Sequence, residues 1–252
     1  MSMNLMEHLQ PHVYIPLKIG GIDISITNAV VAIWIASFLV FLTLTLAGRA
    51  GRLVPRGIQN FMETLVQFAR QTLVVEILGE EGLSWFPFIA TLFFFILYCN
   101  LLGLVPVFPG FTPTSNIWVT ASLAIVVFIC THAAGVAKHG VVKYFRNFVP
   151  GGMPKGIGGV ALTGFLLLVE IISHLARPFS LAVRLFANMT AGHLVIMVFI
   201  SMIFMISAFI TPVSVVMAVV MMAFEIFVCV LQAFIFAILA SIYISLAVHA
   251  EH

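Results

Sequence analysis

One long apolar run decides the fold of this chain: residues 160–210 read VALTGFLLLVEIISHLARPFSLAVRLFANMTAGHLVIMVFISMIFMISAFI. Apart from Pro178 the run holds no obvious turn signal, and as one helix it would be about 75 Å long, more than twice a bilayer core. Residues 213–248 follow Pro212 and would form a helix about 54 Å long. Either both runs break into shorter pieces, or two long helices form a strongly tilted hairpin.

The composition places the chain in a lipid bilayer. Of its 252 residues, 62% are hydrophobic and 8% are charged, whereas a soluble domain has about 25% charged residues. A net charge of +2 is too small for a nucleic-acid-binding protein, and the Gly-rich residues 151–159 lack the Walker pattern of a nucleotide site. The three cysteines show no metal-binding spacing. We therefore expect no nucleic acid, nucleotide, metal or cofactor on this chain.

The remaining segments predict an all-α polytopic membrane protein. Residues 24–48 are uncharged and long enough for one crossing. Residues 56–78 carry apolar side chains on one helical face and polar side chains on the other, which is typical of a helix on the membrane surface. Prolines and a glycine between residues 106 and 113 divide the next apolar stretch into two crossings. The predicted units are an outer-side N-terminal segment (1–23), a first transmembrane helix (24–48), an interfacial amphipathic helix (56–78), a transmembrane hairpin (85–137), a cytoplasmic loop (138–159) and the tilted helical hairpin (160–248).

Basic residues indicate the orientation in the membrane. They cluster before and after the predicted transmembrane hairpin, and the positive-inside rule places both clusters in the cytoplasm. The N-terminus is then outside, and five crossings return the C-terminus to the cytoplasm. A bacterial inner membrane is the expected location, with an organelle inner membrane as the alternative. The clusters are Arg49, Arg52, Arg56 and Arg70, then Lys138, Lys143, Arg146 and Lys155.

Few ionisable side chains interrupt the long hairpin, and they fall on defined faces. Each charge exposed to lipid would cost about 2.5–3.5 kcal/mol, so we expect these groups to face protein or water. At 100° per residue, the second long helix carries Glu225 and Gln232 on one face. The first carries a polar stripe of Glu170, His174, Arg177, Arg184 and Asn188, with His193 pointing elsewhere. Two facing polar stripes would line an aqueous path.

The residue types suit a proton path with a barrier in it. Histidine and glutamate exchange protons near neutral pH, whereas arginine keeps its proton permanently. Arg184 lies too deep to reach the membrane surface and would separate two half-paths, attracting a partner carboxylate in between. Arg177 could instead be structural, and His174 could be a relay or a structural residue beside the kink expected at Pro178.

Three stretches resemble the A chain family of F-type ATP synthases, the stator subunit beside the rotating c-ring. The main match runs Ser180-Leu-Ala-Val-Arg184-Leu-Phe-Ala-Asn188-Met-Thr-Ala-Gly192-His193. Glu225 with Leu231-Gln232-Ala-Phe-Ile-Phe236 resembles the family's last helix, and the segment from Pro106 to Thr120 is similar to its segment after the second crossing. The resemblance covers most of residues 85–248.

This resemblance implies a subunit without its own catalytic site, coupling proton flow to rotation and ATP synthesis. It implies the c-ring and the peripheral-stalk b subunits as partners. In the best-known form an acid occupies the position of His193 and a histidine that of Glu225, so the order of proton transfer between the two is open here. The implied roles are Arg184 as the essential arginine, Asn188 and Gln232 as its polar neighbours, Glu170 and His174 in the cytoplasmic half-channel, and His193 and Glu225 in the outer one.

Two other classes compete with this interpretation. A haem-bearing electron-transfer subunit could use two of His132, His174 and His193 as axial ligands, but it would not explain Arg184. An intramembrane hydrolase would need a nucleophile facing a base, and Ser173 beside His174 does not meet that geometry on a helix. In the earlier hairpin the isolated polar residues are interpreted as packing residues, namely Asn100, Asn116 and His132.

Overall fold

The computed structural model is helical almost throughout. It describes residues 13–16, 18–19, 22–23, 25–48, 57–105, 112–146, 157–205 and 211–249. Its elements are β1 Val13–Ile15, β2 Lys18–Ile19, β3 Ile22–Asp23, β4 Ile26–Thr27, α1 Asn28–Gly48, α2 Ile58–Arg70, a π-helical turn Gln71–Val75, α3 Glu76–Leu78, a 3₁₀ helix Glu80–Trp85, α4 Phe86–Leu104, a 3₁₀ turn Pro113–Ser115, α5 Ile117–His139, α6 Val141–Arg146, α7 Ile157–Met205 and α8 Thr211–Val248.

The two long runs form continuous helices, which decides between the alternatives left by the sequence. The helix α7 has 49 residues and continues through Pro178, while α8 has 38 residues. Their lengths correspond to about 74 Å and 57 Å, so both fit a bilayer core of about 30 Å only when strongly inclined. Within the described part of the chain, five helical segments are long and apolar enough to cross a membrane. The expected all-α polytopic membrane fold is thereby confirmed.

The N-terminal end of α1 differs from the sequence prediction. Residues 13–27 contain two short antiparallel ladders, in which Val13 pairs with Thr27 and Lys18 pairs with Asp23. The helix therefore begins at Asn28 instead of residue 24, and the Asn28 Oδ1 accepts a hydrogen bond from the amide of Ala29. The hydrogen bonds of these ladders satisfy backbone N–H and C=O groups that would otherwise need partners within a helix.

The amphipathic segment is one continuous chain of helical turns, but it is not uniform. After α2, the π-helical turn brings Leu73 and Val74 into complete burial, and Leu78 in α3 is also buried. These turns pack against α4 and α8, while Phe61 in α2 is 60% exposed. The apolar side chains of the segment are therefore exposed near its start and buried in the protein near its end. Its location at the membrane surface stays a prediction.

The predicted loop at residues 138–159 is wrong in part. The helix α5 extends to His139, Gly140 follows with a φ of 78°, α6 occupies residues 141–146, and α7 already begins at Ile157. A glycine in the left-handed region after the last turn is a favourable helix end, which explains the stop at residue 140. Residues 147–156 lie outside the described part of the chain, as do Arg49, Arg52, Arg56 and the turn signals Pro106, Pro109 and Gly110.

The core lies where α4, α5, α7 and α8 meet. Phe94, Leu181, Leu185 and Phe236 contribute fully or almost fully buried side chains from three of these helices. The helix α1 packs against α4, and α7 packs against both α5 and α8. Because the other helices cover only part of the circumference of α7, one face of α7 lies in the core and another face is open. That division positions the polar residues described next.

Candidate functional site

His193 and Glu225, called the outer pair after the half-channel expected for them, join the two long helices in the protein interior. The Nδ1 atom of His193 on α7 lies 2.8 Å from Oε1 of Glu225 on α8, and the two side chains are 8% and 3% exposed. The same Nδ1 lies 3.2 Å from the carbonyl oxygen of Met189 on its own helix. Neither oxygen of Glu225 accepts a well-directed hydrogen bond from the described residues. His193 and Glu225 therefore have the geometry of a close ion pair, and the carboxylate oxygens can still accept hydrogen bonds.

The opposite edge of the His193 ring is also occupied. Its Nε2 atom lies 2.8 Å from the hydroxyl of Thr112 and 3.1 Å from the carbonyl oxygen of Gly103. Thr112 is completely buried, directly before the 3₁₀ turn that separates α4 from α5. Gly103 lies in the last turn of α4, where backbone carbonyls lack intrahelical partners. Besides the two long helices, the last turn of α4 and the residue before the 3₁₀ turn therefore hold this pair.

A second polar contact lies beside the outer pair. The Thr114 hydroxyl donates to Oδ1 of Asn100 at 2.7 Å, and the Asn100 amide reaches the carbonyl oxygen of Cys229 at 3.4 Å. Both side chains are completely buried. The interpretation of Asn100 as an isolated packing residue is therefore wrong, because it links α4, the 3₁₀ turn and α8. Asn116 does have a local role, accepting from the amide of Trp118 at the start of α5.

The middle of the hairpin holds the amide pair and the arginine. Asn188 donates from Nδ2 to Oε1 of Gln232 at 2.8 Å, and Gln232 is buried. Arg184 precedes Asn188 by one helical turn and is exposed on the same face of α7. Among the described residues, Arg184 has no hydrogen-bond or ion-pair partner. A permanent cation therefore stands on an open helix face near mid-length.

The inner pair lies toward the start of α7. His174 Nε2 is 3.1 Å from Oε1 of Glu170, and these side chains are 18% and 43% exposed. The His132 ring from α5 lies 5.5 Å from the His174 ring, centroid to centroid. The guanidinium carbon of Arg177 lies 5.6 Å from the ring centre of Tyr243 on α8. The pair belongs to a cluster from three helices instead of a stripe on one.

A small cavity of about 20 Å³ lies inside this cluster, which is enough for one water molecule. Its polar lining includes His132, His174, Arg177 and Tyr243, and the buried hydroxyl of Thr131 has no partner among the described residues. These groups could hold a water molecule in place. His132 is not isolated, as the sequence analysis had it, since its ring lies beside His174 of the inner pair, while its interpretation as a packing residue stays a prediction.

Tyr144 closes this region from outside the membrane-spanning segments. Its ring lies against Gly135 of α5, where the Cβ of any other residue would collide with it. Burial raises the pKa of the Tyr144 phenol above its ordinary value, and the Arg177 guanidinium opposes that rise. The phenol therefore stays neutral and adds no charge to the cluster.

The structure brings six of the seven predicted residues together in three pairs, and it adds Thr112 and His132 to them. Thr112 was missed because a single polar residue outside a periodic helix carries no spacing pattern, and His132 was considered as a haem ligand or a packing residue but not as a neighbour of His174. A signal did exist for Thr112, because the stretch from Pro106 to Thr120 was part of the family resemblance. No comparable signal marks His132.

This arrangement defines a class of protein. Five helical segments are long and apolar enough to cross a membrane, and one hairpin among them carries two pairs of histidine and glutamate with an exposed arginine between them. These features are typical of an integral membrane protein with ionisable groups inside its membrane-spanning region. His193 is not free to act as an axial haem ligand, because both of its ring nitrogens contact neighbouring groups of this chain.

The comparisons with known proteins identify the family. The family model of the ATP synthase A chain matches residues 30–245. A protein of Magnetococcus marinus named ATP synthase subunit a is 41% identical over 253 residues, covering 98% of this chain and 94% of the relative. Proteins of the same name from Paramagnetospirillum magneticum (39% identical, 98% of each chain covered) and Rubrobacter xylanophilus (41% identical, 94% of this chain and 90% of the relative) agree with it. The chain belongs to the ATP synthase A chain family.

Membership of the ATP synthase A chain family gives the general role of this chain. The chain is a membrane-sector subunit of an F-type ATP synthase, and its bacterial relatives together with its crossing helices indicate a bacterial membrane protein.

Proposed function

We propose that this chain translocates protons through two offset half-channels, separated by Arg184, to and from a carboxylate on a rotating c-ring. Proton flow through it would drive rotation, and ATP chemistry would take place on other subunits. The observation that carries the proposal is the exposed position of Arg184 on α7, between Glu170 and His174 on one side and His193, which pairs with Glu225 of α8, on the other, with no partner for Arg184 among the described residues. Peripheral-stalk b subunits would hold the chain against the torque.

The arginine would act on a carboxylate outside this chain. A charge exposed to lipid at mid-membrane is costly, and no described residue of the chain neutralises Arg184. A carboxylate that approached the guanidinium would be stabilised in its ionised form and would give up its proton there. Because arginine keeps its own proton, no proton would pass directly between the two half-channels.

The outer half-channel would contain His193 and Glu225. Their burial excludes bulk water, and the unused oxygen capacity of Glu225 lets it receive a proton from one side and release it on the other. The buried network of Asn100 and Thr114 keeps the neighbouring backbone in place. Asn188 and Gln232 would lie between this pair and the arginine, as a hydrogen-bonded bridge between α7 and α8.

The inner half-channel would contain Glu170 and His174. Their greater exposure and the nearby cavity allow water to reach them from the cytoplasmic side. His132 would extend the exchanging groups to α5. This assignment requires the orientation predicted from the basic residues, with the N-terminus outside and the C-terminus in the cytoplasm.

A membrane potential would supply the drive. One elementary charge that falls through 100 mV releases about 2.3 kcal/mol, and a path of two half-channels makes each proton travel with the ring before it can leave. Protons would then cross the membrane only when the ring rotates.

The decisive experiment is ATP-driven acidification of inverted membrane vesicles that carry the whole synthase with Arg184→Ala. Assembly is checked by co-purification with the ring, and Leu175→Ala serves as the matched control, because Leu175 is an exposed apolar residue on the same helix. We expect pumping to be abolished in the assembled Arg184→Ala complex and retained in the control. Normal pumping with Arg184→Ala would overturn the proposal.

An Arg184→Lys arm separates charge from shape. Lysine keeps the positive charge but lacks the planar fork that binds a carboxylate with two parallel hydrogen bonds. We expect this variant to lose most coupling. Near-normal coupling would show that a point charge is enough.

A further inference from the structure

Two backbone carbonyl oxygens lie beside the ring nitrogens of His193 and bear on the protonation state of the ring. A carbonyl oxygen accepts hydrogen bonds and cannot donate one. The carbonyl of Met189 lies 3.2 Å from Nδ1, and the carbonyl of Gly103 lies 3.1 Å from Nε2. A neutral imidazole carries one hydrogen, so it would turn a lone pair toward one of these oxygens. The doubly protonated ring turns a hydrogen toward both of these oxygens.

The charges on either side of the ring favour the same state. The carboxylate of Glu225 lies 2.8 Å from Nδ1, which stabilises a positive ring. Gly103 lies in the last turn of α4, and the negative end of a helix dipole also favours a cation. Among the described residues that contact His193, Glu225 on α8 is the titratable one, Cys229 follows one turn further along α8, and the Thr112 hydroxyl is neutral.

Thr112 is placed to serve this state. Its hydroxyl lies 2.8 Å from Nε2 of His193 and occupies the space that a side chain on Gly103 would fill. The hydroxyl of Ser115 donates to the carbonyl of Thr112 at 2.7 Å and fixes the turn. When the ring is doubly protonated, the hydroxyl of Thr112 is a second acceptor for the Nε2 hydrogen.

We propose that Thr112 is a positioning residue which, together with the Gly103 carbonyl, keeps His193 protonated at rest, so that His193 receives the outer proton first and Glu225 passes it on. The inference rests on the proposed function, and it names the order of transfer within the outer pair. The Nδ1 proton passes to the Glu225 carboxylate, which leaves a neutral ring with its hydrogen on Nε2, and a new proton from the outer side then binds Nδ1 and restores the imidazolium.

The test is ATP synthesis by inverted vesicles that carry the whole synthase, after a jump to different internal pH values. The external pH and a potassium diffusion potential are held constant, so the internal pH reports proton entry from the outer face. Thr112→Val keeps the shape and removes the hydroxyl, whereas Thr112→Ser keeps the hydroxyl. Thr120→Val is the matched control, because Thr120 is equally buried and, among the described residues, its hydroxyl bonds to Ile117 of its own helix alone.

We expect Thr112→Val to need an internal pH about one unit lower for its half-maximal rate, because the imidazolium loses one charge-assisted hydrogen bond. Thr112→Ser and Thr120→Val should keep the wild-type midpoint. A Thr112→Val complex with a lower maximal rate but an unchanged midpoint would overturn the proposal, and so would a Thr112→Ser variant that behaves like Thr112→Val.

A second measurement does not depend on any Thr112 variant. The infrared difference spectrum between the wild-type complex and Glu225→Gln at neutral pH should show bands of an ionised carboxylate. A protonated carboxyl band assigned to Glu225 would place the resting proton there and overturn the proposal. In the same vesicle assay, ATP synthesis by Arg184→Ala would sink the proposed function, whereas an inactive Arg184→Ala with an unshifted Thr112→Val would sink this inference alone.

Discussion

The two ends of the α7–α8 hairpin hold pairs of the same chemistry in different environments. His193 and Glu225 approach to 2.8 Å with side chains 8% and 3% exposed, whereas His174 and Glu170 approach to 3.1 Å with side chains 18% and 43% exposed. The distances differ little, but the burial differs strongly. The outer pair joins two helices, and the inner pair joins two turns of one helix.

This difference teaches that burial, more than distance, sets how much each pair contributes. Removal of one partner from a buried ion pair costs about 3–5 kcal/mol, because the other charge is left without compensation. An exposed pair contributes about 0–1 kcal/mol, since water and ions screen it. The outer pair should therefore tolerate little change, and the inner pair should tolerate more.

The largest expected effect comes from exchanging the outer pair. His193→Glu alone would place two carboxyl groups together, and Glu225→His alone would place two imidazoles together. We expect each single change to reduce ATP-driven pumping by about 100-fold or more, and the double exchange to recover to within about tenfold of wild type. Pumping rates in inverted vesicles, normalised to the assembled complex, measure the cycle. Losses that simply multiply in the double variant would show that the two residues do not interact.

An intermediate effect is expected from the helix contact beside the same pair. A Cβ on Gly192 would lie 2.7 Å from Oε1 of Glu225, so Gly192→Ala must displace the carboxylate, whereas a Cβ on Gly164 meets nothing within 4 Å. Because a flexible side-chain end moves instead of a helix, the complex should assemble while pumping falls about tenfold. Gly164→Ala is the matched control on α7. Equal pumping by both alanine variants would contradict the packing described here.

The smallest expected effect belongs to the inner pair. Glu170→Gln removes the charge beside His174 in a half-exposed place, where a screened interaction is worth about 0–1 kcal/mol. We expect pumping to fall by no more than about fivefold, with assembly unchanged. The same vesicle assay, run beside Glu225→Gln, compares the two pairs directly. A loss as large as that of Glu225→Gln would remove the distinction between a buried outer end and an open inner end.

Much of the fold could be predicted from the apolar runs alone. Their lengths predict the crossings, because a bilayer core of given thickness demands a minimum number of apolar residues. Whether α7 would continue through Pro178 could not be predicted, since a proline inside a helix can be tolerated when neighbouring helices pack around it. Here Pro178 and Leu181 lie against α5, next to His132. The β ladders before Asn28 depend on pairing between distant residues, which no local pattern shows.

The sequence by itself determined the environment, the long hairpin and the identity of its ionisable residues. Charges in a bilayer are expensive, so the few that remain in apolar runs mark the site without any coordinates. Only the tertiary structure decided their partners: that Thr112 reaches His193, and that His132 lies beside His174. Helical periodicity specifies a direction around one axis, whereas contact between helices depends on their packing, to which residues from the whole chain contribute.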